Sequence, residues 1–299
     1  MTSEKTEINR SAEILAEALP YIQKYYGKTI VVKYGGNAMI SEELQDSVIR
    51  DIILLSAVGI RVVVVHGGGS EISKMLEKLN IESKFINGLR CTDKETIDVV
   101  KMVLCGKVNK TLVEMIHKNR GKAVGLCGSD GGMIMAEKQS HSKDLGFVGD
   151  IVGIDTTLIE TALKEGFIPV IAGMGIDEHG QAYNVNADTA AAAIAGALKA
   201  ERLIYMSNIK GVLRKKDEGS TLIEMIAIEQ IPNLLKTGVI SGGMIPKISS
   251  CVYGMKNGVE SAVIIDGRVK HSILIELFSD KGIGTMISRA TAKEAEAGR

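Results

Sequence analysis

Thr29-Ile30-Val31-Val32-Lys33-Tyr34-Gly35-Gly36 is an apolar run that stops at a lysine and two glycines. It reads as a buried strand whose carboxyl end opens into a loop, and open α/β sheets hold their ligands at strand ends of that kind. Gly35 and Gly36 let backbone N–H groups approach phosphate oxygens, and Lys33 adds a positive point charge where the strand ends. The same residues are compatible with a first strand and an ordinary tight turn, so the assignment depends on the rest of the chain.

From Thr29 onward, short apolar strands alternate with amphipathic helices. Strands are predicted at 29–33, 61–65, 122–126, 168–172, 202–206 and 261–265. Each is largely apolar, as expected where helices cover both faces of a parallel sheet. Helices are predicted at 42–57, 70–79, 95–118, 156–165 and 188–199. The fold class is therefore α/β, a three-layer αβα sandwich around a mostly parallel sheet. Residues 133–138 and 147–154 break the rhythm and read as added antiparallel strands. A boundary near residue 198, where an Ala-rich helix ends, divides the chain into 1–27, 28–198 and 199–299.

Residues 4–26 precede the first strand and carry Ile8, Ala12, Leu15, Ala18 or Leu19, Ile22 and Tyr25 at helical spacing. Pro20 should kink this helix or begin a second one. The stripe lies outside the strand–helix series, so it either docks on another subunit or folds back on its own domain. The tail 289–299 is polar enough to fray.

Composition excludes several classes. With 45% hydrophobic residues in 299, the chain has ample material for a core and is not disordered overall. Thirty-six basic residues balance thirty-six acidic ones, which removes the electrostatic case for nucleic acid. Cys91, Cys105, Cys127 and Cys251 form no CxxC pair and have no His-rich neighbour, against a zinc site or a disulfide framework. No run reaches the roughly 18 apolar residues of a membrane span, and no signal-peptide core stands at the N-terminus. These features point to a cytoplasmic location.

Two more glycine sites support the opening strand. The second strand ends in His66-Gly67-Gly68-Gly69, directly before the helical stripe Ile72, Met75, Leu76 and Leu79. Free N–H groups and the macrodipole favour an anion at such a helix start. His66 reads as structural, since nothing near it in sequence orients it. Further on, Ser241-Gly242-Gly243-Met244-Ile245-Pro246-Lys247 opens another helix. Pro246 suits its first position, which puts Lys247 in the first turn, where a cation opposes the dipole unless an anion intervenes. Asn184-Val185-Asn186-Ala187-Asp188 precedes the Ala-rich helix, with Asn186 or Asp188 suited to cap it. Gly88-Leu89-Arg90 offers an arginine fit for a carboxylate or for a surface ion pair. Gly27-Lys28-Thr29 is not a P-loop, because position 22 is Ile and the motif precedes its strand; no dinucleotide fingerprint follows any strand.

In this order, these pieces resemble the amino-acid kinase family, and within it the arginine-sensitive N-acetylglutamate kinases. The likeness rests on Val32 to Met39, His66 to Gly69, Gly88 to Arg90, Tyr183 to Asp188 and Gly242 to Lys247. The resemblance implies that Lys33 and Lys247 flank the phosphoryl group in flight and that Asp188 orients both. It implies that Gly36 and Gly68 present N–H groups to that phosphoryl group. Gly68, Gly69, Arg90 and Asn184 would hold N-acetyl-L-glutamate, Arg90 through the α-carboxylate. ATP would lie on the C-terminal lobe, around 207–213 and 241–247, with Gly35, Gly36, Ser207, Gly211 and Gly243 as its contacts. Mg²⁺ would be held by phosphates and water, with no metal-binding side chain.

The run His271 to Phe278 and then Gly282-Ile283-Gly284-Thr285 resembles the family's arginine-inhibition signature. Tyr21, His271, Glu276 and Gly284 would then surround the effector, and the N-terminal helix would interlace dimers into a hexamer, a trimer of dimers. The chain departs from the pattern at Ser70, Ser129 and Asn208; the last removes a charge near the nucleotide lobe. Alternatives are a family kinase acting on glutamate, aspartate or carbamate, and a non-catalytic arginine sensor.

Overall fold

The computed structural model describes residues 13–35, 41–86, 88–140, 144–215 and 218–289. Its centre is the opening strand, β1 (Thr29–Tyr34), which pairs in parallel with β2 (Arg61–His66) on one side. In chain order there follow β3 (Phe85–Ile86), β4 (Leu89–Arg90), β5 (Ala123–Cys127), β6 (Ile134–Lys138) and β7 (Gly149–Ile154). The remaining strands are β8 (Ile168–Ala172), β9 (Met174–Ile176), β10 (Ala182–Asn184), β11 (Arg202–Ser207), β12 (Met225–Ala227), β13 (Ser261–Asp266) and β14 (Thr285–Ser288). The main sheet has eight strands in the order β12-β14-β13-β11-β1-β2-β8-β5, parallel throughout except between β13 and β14. Strand order reverses at β1, since β2 lies on one side and β11 on the other. That reversal opens a crevice at the carboxyl ends, where doubly wound sheets bind ligands.

The helices are α1 (Leu19–Tyr25), α2 (Glu42–Ala57), α3 (Gly69–Lys78), α4 (Lys94–Lys101), α5 (Asn109–Lys118), α6 (Thr157–Lys164), α7 (Ala187–Ala197), α8 (Ile231–Lys236), α9 (Met244–Lys256) and α10 (Ser272–Leu277). Alternation along the strands sorts them into two layers. Ile30 and Val32 face a core with Ile49, Ile52 and Leu55 of α2 and with Leu112 and Ile116 of α5. Val31 faces the other core, with Ala191 and Ile194 of α7 and Ile248 and Met255 of α9. By the same alternation Lys33 points toward the α7 and α9 layer. The sandwich expected from sequence is the one observed.

The added strands 133–138 and 147–154 appear as β6 and β7, an antiparallel pair in a four-stranded sheet β10-β9-β6-β7. The predicted helix 95–118 is interrupted: α4 passes into a π-helical turn, Met102–Val108, before α5 begins. The wider turn brings Leu104 and Val108 against Gly68 and lets Asn109 reach into the sheet. At the N-terminus, residues 13–17 are helical, the helix breaks at Ala18, and Pro20 takes the second position of α1. Ile8 and Ala12 of the apolar stripe, and the tail beyond residue 289, lie outside the described residues. Among the described residues no helix is long and apolar enough to cross a membrane.

Candidate functional site

Asp188 lies in the first turn of α7, whose start is capped by the Asn186 side chain accepting from the N–H groups of Asp188 and Thr189 at 2.8 and 3.3 Å. An anion in that turn is favoured by the macrodipole. Its carboxylate is gripped from two directions. Lys33 Nζ, at the end of β1, is 2.7 Å from Oδ1, and Lys247 Nζ, in the first turn of α9, is 2.9 Å from Oδ2. Burial pushes the Asp188 carboxyl upward, but the two ammonium groups outweigh it and hold its pKa below the usual aspartate value. Tyr205 of β11 donates its O–H to the Asp188 carbonyl at 2.9 Å and fixes the turn from beneath. Pro246 is the third residue of α9 rather than the first, because the helix starts at Met244. Its missing N–H belongs to the free set of the first turn, so the offset costs no hydrogen bond.

Two cavities meet at this cluster. One, of about 270 Å³, is bounded by Lys33 and Gly35, the glycines 67–69, Arg90, Asn184 and Asp188. The other, of about 430 Å³, is bounded by Ser207, Asn208, Gly211, Ser241, Gly243 and Lys247. Of the residues expected to hold the acceptor, Gly68, Gly69, Arg90 and Asn184 line the first cavity; of the expected nucleotide contacts, Ser207, Gly211 and Gly243 line the second, whereas Gly35 lines the first. Gly36 lies outside the described residues. At Gly35, an added Cβ would come within 2.9 Å of Lys33 Nζ, so a side chain there would press on the ammonium. At Gly68, it would meet Leu104 of the π-helical turn at 2.6 Å.

Arg90 is 7% exposed, and no carboxylate among the described residues pairs with it. Its guanidinium donates to the Gly69 carbonyl at 2.9 Å, to Ser73 Oγ at 2.7 Å and to Ser83 Oγ, and it stacks over Phe85 at 4.6 Å. Burial lowers its pKa. A buried cation held by neutral acceptors and facing a cavity is suited to an anionic ligand. Thr92, which sequence reasoning missed, ties the wall together. Asn184 Nδ2 donates to its Oγ1 at 3.1 Å, and that hydroxyl donates to the Arg90 carbonyl at 3.0 Å. In the second cavity, Ser207 is buried and its Oγ has no hydrogen-bond partner among the described residues. A buried hydroxyl left unpaired beside a cavity is suited to a polar ligand.

His66, read from sequence as structural, is engaged at both ring nitrogens and borders the first cavity. Its Nδ1–H donates to the Gly67 carbonyl at 2.9 Å, and Asn109 Nδ2 donates to Nε2 at 3.1 Å, which fixes a neutral tautomer. Burial lowers its pKa to about 4. Asn109 also donates to the Val170 carbonyl at 2.8 Å, so one side chain fastens α5 to β2 and β8.

The four proposed effector residues separate. The Tyr21 O–H donates to Asp280 at 2.5 Å and its ring stacks on Phe278. Glu276 accepts from the N–H groups of Ile283 and Gly284 at 2.9 and 3.1 Å. Tyr21, Glu276 and Gly284 thus border the loop after α10. His271 stands at the other end of α10, with Nδ1 2.6 Å from the buried Asp51.

A family model described as the amino acid kinase family matches residues 28–266. The chain belongs to that family. Over 277 residues it is 57% identical to an acetylglutamate kinase of Clostridium beijerinckii, covering 92% of this chain and 97% of that protein. It is 55% identical to an acetylglutamate kinase of Clostridioides difficile over 278 residues, 93% of this chain and 97% of that one. Among solved structures, N-acetylglutamate synthase from Neisseria gonorrhoeae, complexed with coenzyme A and N-acetyl-glutamate, superposes with a TM-score of 0.81 at 26% identity. That match covers 94% of this chain, and the chain spans 64% of the synthase's length. Carbamate kinase from Giardia lamblia shares the fold, with a TM-score of 0.65 at 16% identity over 88% of this chain and 99% of that one. The chain is an enzyme, a phosphotransferase with a carboxyl group as acceptor.

Proposed function

We propose that the protein transfers the γ-phosphoryl group of ATP to the side-chain carboxylate of N-acetyl-L-glutamate, a step of arginine synthesis. The observation that carries this reading is the Lys33–Asp188–Lys247 cluster at the junction of the two cavities. An acceptor carboxylate oxygen attacks γ-phosphorus, the bond to the bridging oxygen breaks, and ADP leaves with that electron pair. The protein supplies positioning and charge and no nucleophile. Lys33 and Lys247 neutralise the charge spread over the transferring group, and Asp188 keeps both ammonium groups aimed at it. Gly36 and Gly68 offer N–H donors. Gly68, Gly69, Arg90 and Asn184 hold the acceptor, with Arg90 on its α-carboxylate. Gly35, Gly36, Ser207, Gly211 and Gly243 bound the nucleotide, and Mg²⁺ would be held by phosphate oxygens and water, where it would supply positive charge to the phosphates.

In this reading, residues 28–198 form the acceptor lobe and 199–299 the nucleotide lobe. Arginine acts as feedback inhibitor beside the loop after α10, near Tyr21, Glu276 and Gly284, with His271, the fourth expected residue, at the other end of that helix. Ile14, Leu15 and Leu19 are about half or more exposed, and an apolar face of that kind supports a subunit contact through residues 1–27 in a cytoplasmic hexamer. A substrate panel with ATP tests the acceptor. Phosphorylation of acetylglutamate in preference to glutamate, aspartate and carbamate is expected, and turnover of free glutamate alone would overturn the assignment.

A further inference from the structure

Thr92 is wholly buried and does not border the first cavity, yet its hydroxyl touches two residues that do, Arg90 and Asn184. A hydroxyl has one hydrogen to give, and a carbonyl oxygen can only accept. That hydrogen goes to the Arg90 carbonyl, at 3.0 Å. The Thr92 oxygen is left to accept, and Asn184 Nδ2 donates to it at 3.1 Å. The direction of the relay is therefore set from its far end: Asn184 turns its NH₂ toward Thr92 and its Oδ1 away. Among the described residues this Oδ1 accepts no hydrogen bond, and Asn184 borders the cavity.

The backbone around the relay is held independently of it. The Thr92 N–H donates to the Leu145 carbonyl at 2.8 Å, the Phe147 N–H to the Thr92 carbonyl at 2.6 Å, and the Asn184 N–H to the Phe147 carbonyl at 2.8 Å. Between them Gly146 passes so close that a Cβ there would fall 2.2 Å from the Thr92 carbonyl oxygen. Main-chain bonds thus fix where Thr92 and Asn184 stand. What the hydroxyl adds is the way the Asn184 amide faces.

We propose that Thr92 is a positioning residue that holds the Asn184 amide with its oxygen offered to the acceptor, so that the cavity selects an acid carrying a neutral N–H beside its α-carboxylate, as an N-acylated amino acid does. This rests on the proposed acceptor site and deepens it. Arg90, buried and bonded to the neutral oxygens of Gly69 and Ser73, takes the carboxylate, and Asn184 Oδ1 takes the N–H. Without the Thr92 hydroxyl, no other hydrogen bond among the described residues tells the two ends of the Asn184 side chain apart. The amide can then turn over, and an NH₂ would meet the ligand N–H, donor against donor.

Steady-state kinetics of the full-length enzyme with N-acetyl-L-glutamate and with its α-acetoxy analogue, in which an ester oxygen replaces the amide nitrogen, test the relay. The parent should favour the amide by roughly 10-fold in kcat/KM, because the ester has no hydrogen for Oδ1. Thr92→Val keeps the shape and loses the hydroxyl. In it the KM for N-acetyl-L-glutamate should rise about 5- to 10-fold, kcat and the ATP KM should stay within about 2-fold, and the preference for amide over ester should fall toward unity. Thr92→Ser, which retains the hydroxyl, should keep the parental preference. Should Thr92→Val fail to fold, Thr92→Ala makes the same comparison.

Equal use of amide and ester by the parent, an unaltered preference in the variant, or a rise in the ATP KM that matches the acceptor's would each overturn the proposal. A parent enzyme that phosphorylates no N-acylated acid would overturn the proposed function and the relay with it. Normal turnover of N-acetyl-L-glutamate with the preference intact in Thr92→Val would overturn the relay alone.

Discussion

Asp188 and Lys247 are 59 positions apart in the chain and 2.9 Å apart in space, each in the first turn of its own helix. A cation at the positive end of a helix is normally disfavoured. Here it is offset by a carboxylate that a second lysine also holds. With two cations sharing one anion, the cluster keeps net positive charge for an incoming phosphoryl group.

Removing either cation should therefore act on the chemical step. Lys33→Ala and Lys247→Ala are each expected to lower kcat by roughly 10²–10³-fold, the loss typical when one transition-state donor is removed. Steady-state kinetics with both substrates saturating checks this. An undiminished kcat in either variant would show that the lysine lies outside the transferring charge.

Arg90 should separate the substrates. Arg90→Lys keeps the charge but loses the fork that donates to Gly69 and Ser73 while facing the cavity. Its expected effect is a rise of roughly 10-fold or more in the KM of the acceptor with little change for ATP. Equal changes in both constants would point to a general loss of structure.

His66 sets a pH dependence of stability whose sign is fixed. Its folded pKa lies at about 4 against an ordinary 6.5, so the unfolded chain takes up this proton first as pH falls. The contribution is present above about 6.5 and lost progressively toward about 4, on the order of 3 kcal/mol in all. Urea unfolding at about pH 7 and about pH 5 should show a smaller loss for His66→Gln than for the parent. The same loss in both proteins would assign the acid sensitivity to other groups.

Deleting residues 1–26 should yield dimers with a weakened arginine response, because it removes the exposed apolar face carried by Ile14, Leu15 and Leu19. A mass measurement still showing hexamers would contradict the subunit contact.

The opening strand was legible because both its faces are buried, and an unbroken apolar run is what burial on two sides leaves in a sequence. Lys247 was legible because it broke a rule of helix ends. The strands β9, β10 and β12 were not, since three residues carry no period. The π-helical turn was also hidden: its wider winding shifts an apolar pattern by less than one position over one turn. Thr92 and Asn109 were missed because their partners are 92 and 43 positions away and nothing local marks a polar residue that will be buried.

The alanines of α7 have a dimensional consequence. Ala190, Ala191, Ala192 and Ala195 are wholly buried, so that helix packs against the sheet and α9 largely through single methyl groups, with Ile194 among them. Its height above β1, and with it the height of the Asp188 carboxylate, is set by the thickness of a methyl layer. Each methylene added there would act as a shim, lifting the carboxylate while Lys33 stays anchored in the strand. The helix is in that sense the gauge block of the site, and its plain composition is the tolerance to which the two lysines are aligned.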